Sequence, residues 1–93
     1  MQAELTREGH PVGVFIMTRD GDYSWVCIDE ERERFEPIIE KIIEELREPQ
    51  AWVGREGNPS QPVIYEPGDP RWFDKVLARL QNAGYEHVVL DVE

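Results

Sequence analysis

The dipeptide Asp20-Gly21 lies between two β-rich runs, Val12 to Thr18 and Tyr23 to Ile28, and it constrains the chain more than any other feature. A tight two-residue hairpin turn needs positive φ at both central residues, which Asp-Gly supplies at low steric cost. Such a turn sets the register. Thr18 faces Tyr23, Ile16 faces Trp25 and Val14 faces Cys27 on one side, and Phe15 faces Val26 on the other. Large apolar groups then occupy both faces, so the hairpin needs a cover on each: helices on one side and a second subunit on the other.

Two helical stripes supply the first cover. Ile38, Ile39, Ile42, Ile43 and Leu46 recur at helical spacing within residues 29–48. Pro37 lacks an N–H and clashes with the preceding turn, so the regular helix is expected to begin near it, after an irregular lead-in over residues 30–36. Pro49 stops it. The second helix is bounded more sharply. Asp69 is the N-cap, Pro70 takes the first helical position, and Gly84 closes the element as a left-handed cap. Its buried stripe is Trp72, Phe73, Val76, Leu77 and Leu80, and a final strand runs from Tyr85 to Val92.

Between the helices, Ala51-Trp52-Val53 and Val63-Ile64-Tyr65 read as two short strands joined by a long Pro/Gly-rich turn. From Tyr23 onward the order is βαββαβ, a ferredoxin-like arrangement preceded by an extra hairpin strand. The expected fold is therefore α+β, a two-layer sandwich of a four- or five-stranded mixed sheet with two helices on one face. Residues 1–10 show no period and are expected as a flexible arm, with residues 11–93 forming a single domain.

Charge narrows the functional classes. The chain has 93 residues with 20 acidic and 10 basic side chains, a net of −10, which opposes binding to nucleic acid or to an anionic membrane and favours a basic partner. The lone Cys27 permits no internal disulfide, and neither a signal-peptide core nor an 18-residue apolar run occurs, so a cytoplasmic setting is expected. Arg outnumbers Lys eight to two and amides are few, a balance that suits a thermophilic host, although a GC-rich genome produces the same Arg bias.

The acidic excess has a location. Residues 29–48 hold nine acids against four bases, and Glu36, Glu40, Glu44 and Glu48 fall four apart, opposite the isoleucine stripe. They form a candidate docking face for a basic protein, although a solvated helix face has the same composition. Trp52, Arg55 and Tyr65, in and around the long turn, are the second candidate set. No motif calls for a cofactor or a metal, and Asp20, Asp22 and Asp29 are explained by the turn and the helix start. Cys27, His10 and His87 could serve catalysis only if the fold brought a pair of them together. The leading expectation is a small regulatory or protein-interaction module. The alternatives are a homodimeric small-molecule-binding domain and, third, a small enzyme.

Overall fold

The computed structural model describes residues 1–48, 50–51, 62–63 and 65–90, with 50–51 and 62–63 described as backbone. In chain order the elements are β1 (Gln2–Arg7), β2 (His10–Met17), β3 (Tyr23–Cys27), α1 (Asp29–Leu46), β4 (Gln50–Ala51), β5 (Pro62–Val63), α2 (Pro70–Asn82) and β6 (Glu86–Leu90). Four strands form one sheet in the order β3-β2-β1-β6, and β4 pairs with β5 separately. Every pairing among the described residues is antiparallel, so the fold is α+β and the described sheet is not mixed. The expected βαββαβ order would place Tyr23–Cys27 inside the sheet. That strand is instead at an edge.

The first ten residues are not an arm. β1 is an inner strand, with Ala3 and Leu5 buried against the helices and Gln2 and Glu4 alternating to the other face. Two apolar residues make too short an alternation to stand out in a polar segment. Glu8 and Gly9 have φ of 54° and 81°, the two positive values of a two-residue hairpin turn, and Arg7 pairs with His10 across them. The tight turn expected at Asp20-Gly21 thus occurs one hairpin earlier.

At the second hairpin the loop has three residues, Arg19-Asp20-Gly21, closed by Thr18 N–H donating to the Asp22 carbonyl at 2.8 Å, with Gly21 in the left-handed region at φ 95°. The extra loop residue slips the register by one. Met17 now faces Tyr23, Phe15 faces Trp25, Gly13 faces Cys27, and Val14 faces Val26. Side chains alternate along a strand, so this slip decides which set is buried. Phe15, Met17 and Cys27 enter the core, while Val14 and Ile16 turn to the opposite face with Val26 and Val88, which are 67% and 60% exposed. A register shift between Leu5 and Thr6 adds one residue to β2, and that residue, Val12, is also buried.

α1 starts eight residues before Pro37, not at it. Its stripe extends N-terminally through Glu31 and Phe35 to Ile39, Ile42, Ile43 and Leu46, all buried. Pro37 is on the exposed side, where the carbonyl left without its helical N–H can meet water; Phe35 and Ile39 hold the helix on either side. Asp29, Glu30 and Glu31 in the first turn suit the positive end of the helix dipole. α2 follows the sequence closely. Asp69 accepts from the Arg71 N–H, Pro70 opens the helix, the five apolar residues are buried, and Gly84 has φ 99°. Phe15 is the junction of the two layers, with ring centroids 6.1 Å from Trp72, 5.7 Å from Phe73 and 6.5 Å from Tyr23.

At the end of the sheet where β1 finishes, Arg7 donates to the buried Glu31 carboxylate from Nη2 at 2.8 Å and from Nε at 3.2 Å. Those bonds hold the Glu31 carboxyl below its ordinary value of 4.5, against an opposing effect of burial. A folded value below the unfolded one means that the stabilisation is complete above about pH 4.5 and is lost as pH falls through the lower folded value. The denaturant midpoint of Glu31→Gln is expected to be lower than wild type at neutral pH and to fall less on acidification. Parallel midpoint-versus-pH curves for the two proteins would contradict this assignment.

Candidate functional site

The slipped register has a direct consequence for the surface. Trp25 and Tyr23 lie opposite the core residues Phe15 and Met17, so both aromatics are on the helix side of the sheet at its edge. Tyr23 is anchored there by Trp72, ring to ring at 5.2 Å. The C-terminal half of α1 passes beside them. Tyr23, Trp25, Glu40, Ile43, Glu44 and Arg47 line a groove of about 210 Å³. Ile43 is its buried apolar element, and Glu40 and Glu44, one helical turn apart, are exposed. Pockets for drug-sized ligands run to roughly 300–1,000 Å³. This groove fits one long side chain better than a whole metabolite.

The four glutamates of the expected docking face separate in space. Glu40 and Glu44 line the groove. Glu36 is half-buried and paired with Arg32 at 3.7 Å one turn back, and neither it nor the exposed Glu48 is part of the lining. Trp52 and Arg55 lie outside the described residues. Tyr65 is half-buried against the core and takes Arg71 and Lys75 over its ring, 5.1 Å and 5.0 Å from the centroid. Its face is thereby occupied by cations of α2 rather than joined to Glu40 and Glu44.

Tyr23 and Trp25 are groove residues that sequence reasoning assigned only to a sheet face. Their spacing of two in a β-run was a visible signal for a shared side. Their nearness to Glu40 and Glu44 was not, because it depends on where α1 packs. A second depression, of about 350 Å³, lies between the helices and is lined by Ile38, Lys41, Ile42, Glu45, Arg79, Asn82 and Ala83. Arg79 and Glu45 are paired there at 2.6 Å.

Cys27 and His87 do not meet. Cys27, Gly13, Leu5 and His87 form one row across β3, β2, β1 and β6. Three strand spacings, about 14 Å, therefore separate the thiol strand from the histidine strand. Cys27 is buried, and its side chain meets the Arg32 guanidinium, an interaction that holds Arg32 above its ordinary value. Burial also pushes the Tyr85 hydroxyl above its ordinary value, and its ring packs edge-on to Phe35 with centroids 5.4 Å apart.

Fold and site together define a class, an antiparallel α+β domain with an acid-flanked aromatic groove at the edge of its sheet. Among the described residues no helix is long and apolar enough to cross a membrane. Comparison with known proteins finds no matching family model, no matching curated protein and no matching solved structure.

Proposed function

We propose that this protein is a small interaction module that binds a basic protein partner through the C-terminal half of α1 and the aromatic pair of β3. The supporting observation is the groove itself, in which Glu40 and Glu44 stand beside Tyr23 and Trp25 and outnumber its one cation, Arg47. Aromatic faces and carboxylates are the two groups that attract an ammonium or guanidinium head, and the aromatics also accept its aliphatic stem. The overall charge of −10 steers such a partner toward the protein at low salt.

The test separates a specific face from general attraction to an acidic protein. A fluorescent arginine-rich peptide is titrated against wild type, against Glu40→Lys/Glu44→Lys and against Glu30→Lys/Glu33→Lys. Glu30 and Glu33 are exposed acids of α1 outside the groove, so the two double variants change the charge equally. The groove variant is expected to weaken binding roughly tenfold or more, and the other variant only a few-fold, through screened long-range repulsion. Equal weakening would show that no particular face is used.

A further inference from the structure

We infer that the basic partner is captured as an added β-strand on the outer edge of β3, its alternate side chains entering the groove between Trp25 and Glu40/Glu44; this rests on the docking face proposed above. The argument begins with backbone groups. Thr18 N–H donates to the Asp22 carbonyl and Ile28 N–H to the Val12 carbonyl, at 2.8 Å and 2.9 Å, so both ends of the β2–β3 ladder are hydrogen-bonded pairs. Hydrogen-bonded pairs alternate in an antiparallel ladder, which makes Ser24/Ile16 and Val26/Val14 the bonded pairs between them. The N–H and C=O groups of Tyr23, Trp25 and Cys27 therefore point away from β2. β3 is the edge strand, and among the described residues no backbone hydrogen bond from a turn, loop or cap reaches those groups.

Exposed edges are usually blunted by lysine, proline, a bulge or an inward charge. β3 reads Tyr-Ser-Trp-Val-Cys and has no charged residue or proline, whereas the opposite edge, β6, carries Glu86 and His87. Two of the three residues with outward backbone groups, Tyr23 and Trp25, also line the groove with their side chains. A residue paired with Trp25 on an added strand would have its Cβ about 5 Å from that of Trp25 and on the same face. From there an arginine or lysine stem lies along the indole and its charged head reaches the carboxylates.

Charge selects the occupant. A second copy of this chain pairing through the same edge would bring two sets of Glu40 and Glu44 and two charges of −10 together, whereas a basic extended segment neutralises them. Peptide addition to a sheet edge takes affinity from main-chain bonds and specificity from such side-chain recesses.

The probe is an acetylated, amidated hexapeptide of alternating valine and arginine, in three forms: unmodified, N-methylated at the arginine amides, and N-methylated at the valine amides. Binding to the full chain is read by Trp fluorescence and anisotropy. Methylation removes amide donors without changing charge, so one methylated series is expected to bind roughly tenfold or more weakly and the other within a few-fold. Loss with the arginine series fits antiparallel addition, in which the residue opposite Trp25 makes the bonds; loss with the valine series fits parallel addition. If both methylated peptides bind as tightly as the parent, strand addition is wrong, and continued sensitivity to Glu40→Lys/Glu44→Lys would leave the docking face standing. If all three peptides ignore that charge reversal, the docking face fails as well. A peptide-free dimer that the unmodified peptide cannot dissociate in sedimentation would assign the edge to a second copy and overturn the inference.

Discussion

Phe15→Ala is expected to lower the unfolding free energy by about 3–5 kcal/mol, the usual cost of emptying a buried aromatic site. Phe15 is fully buried and sits against Trp72, Phe73 and Tyr23, so its ring touches the first part of α2 and the edge aromatic together. Domains of this size are stable by only about 5–15 kcal/mol, so the loss is a large fraction of the total. Urea titration followed by Trp fluorescence reads it directly. Val26→Ala, at a position 67% exposed, is expected to change stability by less than about 0.5 kcal/mol. The contrast tests the register itself. In the register implied by a two-residue turn, Phe15 and Val26 share a face and should respond alike.

Gly13→Ala is expected to cost about 3 kcal/mol, although the substitution adds a single methyl group. A Cβ at Gly13 would collide with the Val26 carbonyl oxygen and lie 2.8 Å from the Cys27 Cα. Both are backbone atoms of the paired strand, so relief requires β3 to move as a whole rather than one side chain to rotate. Gly13 is also next to the residue added to β2, where Val12 enters the core. Gly13→Val should be worse than Gly13→Ala. Equilibrium unfolding of the two variants supplies the measurement; an alanine variant within about 1 kcal/mol of wild type would mean that β3 is not held close over this position. Because β3 carries Tyr23 and Trp25, displacement of the strand should also weaken the peptide capture proposed for the groove.

The parts of the fold that were readable from sequence are those with local causes. The bounds of α2 follow from one capping aspartate, one proline at the first position and one left-handed glycine, and its buried face follows from period alone. The docking candidates divide along the same line. Glu40 and Glu44 were visible as exposed acids on α1, but their separation from Glu36 depends on the Arg32 pair and on the path of α1 past β3. The Arg7–Glu31 bond joins residues 24 apart, and no local pattern announces it. β1 was missed because Ala3 and Leu5 are its only buried residues. The Pro37 boundary failed for a different reason. Tertiary burial of Phe35 on the upstream side outweighs the local cost of a helical proline.

The sequence by itself determined the inventory: β-rich runs around a turn, two amphipathic helices, and an acidic excess concentrated on the first of them. Capping, periodicity and charge act within a few residues, so composition and spacing suffice to specify them. Tertiary structure alone decided the register and the strand order. A turn of two residues or of three satisfies the same Asp20-Gly21 dipeptide, and only packing Phe15 against α2, with Met17 accepting from the Gly68 N–H just ahead of that helix, selects between them. An inner place for β1 leaves β3 at the edge. That edge, with its outward backbone groups beside Trp25 and Glu44, is where the protein is proposed to act.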